Sequence, residues 1–225
     1  MRKNFETALA LTLGHEGGWS DHPKDPGGAT NMGVTIGTLK RLGIDVDGDG
    51  DSDLADLRKL RREDVAKVYR AFYWDAVRAD LLPAGVDLAV FDFAVNSGPA
   101  QAAKMLQRAV GAKPDGDIGP QTLAALAKED ALLIVAAVSE KRLRFLRSLK
   151  TWGTFGKGWQ RRVEDVQRAA LELANPVDDK ITPISDTNPV LMAEEKPQPV
   201  APPVPQSAWE AFFFWVSSLM KGSKP

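Results

Sequence analysis

An apolar helical stripe that ends on a carboxylate and then breaks at two glycines constrains this chain more than any other feature. Phe5, Leu9, Thr12 or Leu13, and Glu16 recur at intervals of three and four residues, so they share one face of a helix. Gly17 and Gly18 follow, residues able to take the left-handed conformation that closes a helix. Glu16 is thereby expected at the rim of a core, where partial burial disfavours the ionised carboxylate. A carboxylic acid that keeps its proton near neutral pH is what general-acid cleavage of a glycosidic bond requires. Downstream, Pro23, Pro26, Gly27 and Gly28 impose an irregular loop that carries Asp21, Asp25 and Thr30. A loop folding back beside the helix end would bring a second carboxylate across from Glu16. The plainer alternative is a helix cap followed by an ordinary surface turn.

The whole string is more specific than its parts. Glu16, Gly17, Gly18, Trp19, Pro23, Asp25, Pro26, Gly27, Gly28, Thr30, Gly33 and Val34 fit E-G-G-(Y/W)…P-x-D-P-G-G-x-T-x-x-G-(I/V). This resembles the signature of glycoside hydrolase family 108, N-acetylmuramidases of lysozyme-like fold from bacteria and phages. The resemblance implies a mainly α, lysozyme-like helical domain with at most a small β-hairpin. It implies that Glu16 is the general acid, and that Asp25 and Thr30 are the acid–threonine pair that places the attacking water. The Glu-to-Asp gap matches that of phage lysozymes of the E…D…T type, whereas Asp-to-Thr is one residue shorter. Asp21 is a rival second carboxylate. A wide separation of the two carboxyls leaves room for water and gives inversion, and a short one gives retention; the expectation is an inverting enzyme with Asp25 as base. His15 and His22 lack the cysteines or H-E-x-x-H spacing of a zinc centre, and His15 reads as an exposed helix residue.

The formal net charge is −1, which argues against a dedicated nucleic-acid binder. Cysteine is absent, so no disulfide framework exists. Thr7, Thr12 and Gly14 interrupt the apolar residues after Met1, so no cleavable signal peptide is expected. By analogy with phage lysins released by a holin, the expectation is cytoplasmic synthesis followed by action in the periplasm or on the wall.

Residues 45–56 form an acidic run in which Asp45, Asp47, Asp49, Asp51, Asp53 and Asp56 occupy positions 1, 3, 5, 7, 9 and 12 of an EF-hand-type loop, with Gly50 at position 6. Carboxylates so close repel one another without a cation. A structural calcium ion is therefore expected on Asp45, Asp47, Asp49, Asp51 and Asp56. The alternative is a solvated acidic linker; Ser52 replaces the usual Ile or Val, and Asp56 the usual bidentate Glu.

From Arg61 onward the pattern is helical. Stripes run through Val65, Val68, Tyr69 and Phe72, through Val86, Ala89, Val90 and Phe93, and through Ala102, Ala103, Leu106 and Val110. Pro120 marks a helix start, and longer helices are expected over 132–149 and 160–174. The strings Phe91–Gly98, Ala102–Gln107 and Asp115–Thr122 resemble the predicted peptidoglycan-binding domain that accompanies the family. Trp19, Tyr73 and Trp74 are candidates for stacking on sugar rings, and Asn96 and Gln107 for hydrogen bonding to them; aromatics at helical spacing also suit a core.

The expected organisation is a muramidase domain over 1–175, with a catalytic part over 1–90 and a peptidoglycan-binding-like helical lobe over 91–175. A Pro-rich disordered linker over 176–206 and an aromatic tail over 207–225 follow. The segment 207–221 is too short for a confident membrane span, which needs about 20 apolar residues, but suits a membrane surface or a partner groove. The expected partner is the peptidoglycan glycan strand and the expected reaction hydrolysis of its β-1,4 bond; a lytic transglycosylase and a non-catalytic wall-binding protein are the alternatives.

Overall fold

The computed structural model describes residues 2–21 and 28–175. Asp25, the Pro-rich linker and the aromatic tail lie outside them. Among the described residues the architecture is helical, with one two-stranded antiparallel sheet.

Helix α1 (Arg2–Gly14) buries the face carrying Phe5, Ala8, Leu9 and Thr12. Burial of a side chain such as Leu9 contributes about 1.5–3 kcal/mol, so this stripe fixes how α1 lies on the core. The helix ends at Gly14, two residues before the expected carboxylate, and three-residue bonds continue the turn: His15 N–H donates to Thr12 O and Glu16 N–H to Leu13 O. Such tightening of a last turn is usual. Neither Gly17 nor Gly18 takes up the left-handed conformation expected of them.

Strands β1 (Thr30–Asn31) and β2 (Val34–Thr35) form the expected hairpin. Thr30 pairs with Thr35 and Asn31 with Val34, leaving Met32 and Gly33 as a two-residue loop. Both have positive φ, 47° and 75°, as a type I′ turn demands. Asn31 Nδ2 donates to Leu57 O at 2.8 Å and ties the hairpin to the next layer. Helix α2 (Ile36–Leu42) starts where the Thr35 hydroxyl accepts from Thr38 N–H. Helix α3 (Leu54–Lys59) follows the acidic run and begins with an Asp53/Asp56 capping box.

Helix α4 (Arg62–Tyr69) widens into a π turn over Arg70–Trp74, which turns the aromatic residues inward. Phe5, Trp74 and Phe91 meet edge to face, with centroids 5.2–6.0 Å apart. Helix α5 (Val86–Ser97) is buried at every position and forms the axis of the molecule. Helices α6 (Pro99–Ala109), α8 (Ala131–Arg147), α9 (Trp152–Ala174) and α1 pack around it. Helix α7 (Pro120–Leu126) opens on Pro120. One continuous core runs from Phe5 to Ala170.

Helix α9 starts at Trp152, eight residues before the expected 160. Gly153, Gly156 and Gly158 lower helix propensity there. The turn forms because Phe155 and Trp159 pack against each other, with Leu146 and Val163, in a satellite core. A Cβ on Gly156 would lie 2.6 Å from the Trp152 ring, so the glycine makes room for the indole.

Candidate active site

Glu16 projects from the turn after α1, and its side chain is only 2% exposed, deeper than a rim position. Oε1 accepts from Arg162 Nη1 of α9 at 2.9 Å. Arg162 in turn grips Asp92 of α5: Nε donates to both carboxylate oxygens, at 3.0 and 3.1 Å, and Nη2 to Oδ2 at 2.7 Å. Arg142 of α8 reaches Asp92 Oδ1 at 2.8 Å, and the Thr12 hydroxyl donates to Oδ2 at 3.1 Å. Four helical segments thus meet on one buried polar cluster.

The two acids respond in opposite ways. Burial pushes Glu16 above the usual carboxylate range, and the Arg162 charge and hydrogen bond recover only part of the shift. Asp92 is desolvated as well, but two guanidiniums outweigh burial and hold it well below its ordinary value. Their environments thus push the proton affinities of the two acids apart, Glu16 upward and Asp92 downward.

Glu16 Oε2 faces the hairpin. It lies 3.4 Å from the point where a Cβ on Gly33 would stand, and the Tyr69 hydroxyl is 2.1 Å from that same point. The hydroxyl donates to Met32 O at 3.2 Å. The motif glycine is therefore a steric requirement: its missing side chain lets tyrosine, hairpin backbone and carboxyl converge. Burial, together with the nearby Glu16 charge, pushes Tyr69 well above its ordinary value and Tyr73 up to about 12. Both remain neutral hydroxyls at any working pH.

Thr30 sits at the base of the loop leaving Glu16. Ser20 and Thr30 exchange two backbone hydrogen bonds of 2.8 Å, closing the stem of the segment that contains Asp25. Asp21 is exposed at this stem, 4.0 Å from Arg58. Trp19 is half-buried, with the Arg58 guanidinium 4.8 Å from its ring centre. Tyr73 is half-buried against Tyr69. His15, expected to be exposed, is half-buried; desolvation and the Arg162 charge lower its pKa.

Three residues expected to meet sugar are corrected by their burial. Trp74, Asn96 and Gln107 are each 1% exposed and offer no surface to a ring. Trp74 belongs to the aromatic core, its indole N–H donating to Asp80 at 3.0 Å. The Gln107 amide bonds Asp115, Gly116 N–H, Asp117 O and Thr122, which pins the D-G-x-I-G turn. Asn96 lies on the buried axis and accepts from the Ser97 hydroxyl.

The acidic run forms two triads. Oxygens of Asp45, Asp47 and Asp49 lie within 4.8 Å of one another, as do those of Asp51, Asp53 and Asp56. Asp56 is buried and accepts from the backbone N–H groups of Val46, Asp47 and Asp53, which hold its carboxyl below the ordinary value. Lys59 occupies Asp47 at 2.9 Å. The neighbouring negative charges, Asp49 foremost, push Asp51 upward.

Asp92, Arg142 and Arg162 are functional candidates that the sequence patterns do not single out. The available signal is Asp92 itself, a charge within the otherwise apolar run Leu88–Val95. A fully buried carboxylate is rarely unpaired.

Residues 9–98 match the family model described as Glycosyl hydrolase 108, and residues 101–164 the one described as Predicted Peptidoglycan domain. Among solved structures, that of Brucella abortus SagA is 44% identical, covering 77% of this chain and 97% of that one with a TM-score of 0.67. None of the curated proteins matches.

Proposed function

Because the chain belongs to glycosyl hydrolase family 108 and is a glycoside hydrolase of peptidoglycan, we propose that it is an N-acetylmuramidase cutting the β-1,4 bond between N-acetylmuramic acid and N-acetylglucosamine. The observation that carries this reading is the Glu16 carboxyl, buried, raised in proton affinity, and held through one oxygen by Arg162. Among the described residues the other oxygen, Oε2, makes no hydrogen bond and lies on the hairpin side, available to hand its proton to a leaving glycosidic oxygen. Asp25 acts as the base and Thr30 helps to place the water, giving inversion; the paired stem at Ser20 and Thr30 supports this arrangement by holding both ends of the loop. Trp19 and Tyr73 are the sugar-stacking candidates that remain.

Mass spectrometry of soluble muropeptides tests the assignment. Wild-type protein is expected to release products with reducing muramic ends, and Glu16→Gln to release less by a factor of about 10² or more, within the usual worth of general-acid catalysis. Products ending in 1,6-anhydromuramic acid would instead identify a lytic transglycosylase. Full release by the variant would remove Glu16 from the chemistry.

The acidic loop is proposed to bind calcium in a structural role. Its support is the exposed Asp45–Asp47–Asp49 triad with its convergent oxygens, a donor set of the hard, all-oxygen kind that Ca²⁺ prefers.

A further inference from the structure

A line of side chains leads from Glu16 to an exposed cation. Glu16 Oε2 and the Tyr69 hydroxyl converge on Gly33. The Tyr73 ring lies 5.4 Å from that of Tyr69, and Phe72 is its neighbour in the π turn. Over the Phe72 ring, 4.6 Å from its centre, stands the guanidinium of Arg41 from α2. The Tyr73 hydroxyl responds to both ends of this line: the Glu16 charge raises its proton affinity and the Arg41 charge lowers it.

Arg41 differs from the cations around it. Lys40, one position earlier and about 100° round the helix, lines the cavity of the acidic loop with Asp45, Asp51 and Asp53. Arg70 of the π turn is paired with Asp75 and Asp80. Arg41 is exposed and makes no ion pair among the described residues. The face of an aromatic ring holds a guanidinium in place and leaves the N–H groups, which lie in the guanidinium plane, available to a ligand. Burial keeps the Tyr73 hydroxyl protonated, so it is a second, neutral donor on the same side of the acid. A planar guanidinium and a phenol together suit a carboxylate, which accepts from both.

We propose that Arg41, with the Tyr73 hydroxyl, forms a subsite for a carboxylate of the acidic peptides that peptidoglycan carries on its glycan chain. The proposal rests on peptidoglycan as the substrate and on Glu16 as the mark of the cleft, and it names what the cleft reads besides sugar. Arg41 and Tyr73 both lie in the stretch matched as glycosyl hydrolase. The hydrolase part therefore selects peptide-bearing chain by itself, in addition to any contact the second stretch makes with the wall.

The test compares purified sacculi with sacculi whose carboxylates have been converted to methylamides, which keeps sugar and peptide and removes the negative charge. Binding of the full-length protein is measured by brief pelleting on ice in a Glu16→Gln background. Adding Arg41→Gln should weaken binding to native sacculi about tenfold, the lower end of what hydrogen bonds to charged groups are worth, and leave binding to amidated sacculi unchanged. In the otherwise wild-type enzyme the same substitution should raise KM on native sacculi and leave kcat within about twofold. Lys128→Gln, which removes an exposed charge beyond α7, should change neither substrate. A loss confined to native sacculi supports the subsite. No loss, an equal loss on both substrates, or an equal loss in Lys128→Gln overturns it. A structural role for Arg41 at the end of α2 would lower the melting temperature and depress both substrates alike. Should Arg41→Gln fail to fold, Tyr73→Phe decides by the same criterion. The pelleting comparison reads binding whichever bond is cut, so failure of the muramidase reading and failure of the subsite are separable.

Discussion

At the scale of single residues, position 33 shows how a motif glycine serves chemistry without taking part in it. Its φ of 75° disfavours any side chain, and an added Cβ would stand 2.1 Å from the Tyr69 hydroxyl. Gly33→Ala therefore carries backbone strain of about 1–3 kcal/mol plus displacement of Tyr69 from beside the acid. The expected outcome is a lower melting temperature together with a large loss of turnover. Adding Tyr69→Phe removes the closest contact and should restore part of the stability but little of the activity; thermal melts and sacculus turbidity of both variants check this. Glu16 is legible in the sequence as the end of an apolar stripe and Gly33 as a motif position, whereas the place of Gly33 in the turn of the hairpin comes from the fold. Arg162 is not legible, since it meets Glu16 across 146 positions and looks in sequence like any polar residue on an amphipathic helix. Trp74, Asn96 and Gln107 mislead for the converse reason: residue type admits both sugar contact and burial, and only packing decides.

Elements were readable where capping and periodicity agree. Thr35 opens α2 by accepting from Thr38, and Pro120 opens α7, each as local chemistry dictates. The start of α9 is not legible in the sequence because aromatic packing overrides the low propensity of its glycines. The acidic segment was visible as a pattern, but its geometry divides the work: Asp53 and Asp56 cap α3, while Asp45, Asp47 and Asp49 converge at the exposed end. The capping half holds the loop in shape, and a cation at the exposed half would remove the repulsion left over. Calcium in about 100-fold excess over its dissociation constant should stabilise the fold by about 2.7 kcal/mol, or very roughly 2–4 °C per kcal/mol in a domain of this size. Melts with calcium and with chelator should differ accordingly, and the difference should vanish in Asp45→Asn/Asp49→Asn. Identical melts for wild-type protein in the two buffers would reject the ion.

Across the whole molecule, the Glu16–Arg162–Asp92–Arg142 cluster joins α1, α5, α8 and α9, so its protonation is coupled to the stability of the fold. Removing one partner of such a buried pair costs about 3–5 kcal/mol, which makes the cluster a structural joint as well as a support for chemistry. The two acids give pH dependences of opposite sign. Asp92 has a depressed folded value; its contribution is complete above its unfolded value of about 3.9 and is lost as pH falls through the folded one. Glu16 has a raised folded value; its contribution is complete below its unfolded value of about 4.3 and is lost as pH rises through the folded one. Above its unfolded value Glu16 therefore costs the fold stability, because the unfolded chain releases the proton more readily than the buried site does, a stability–activity exchange common at catalytic sites. Glutamine resembles the protonated acid in shape and charge, so Glu16→Gln should melt close to wild type below about pH 4 and above it at neutral and alkaline pH. The gap should widen as pH rises, by about 2–4 °C for each kcal/mol involved. Melting curves of both proteins over a pH series measure this directly. A gap that narrowed with rising pH would mean that the bond from Arg162 outweighs desolvation, and that Glu16 rests as a carboxylate instead of a poised acid.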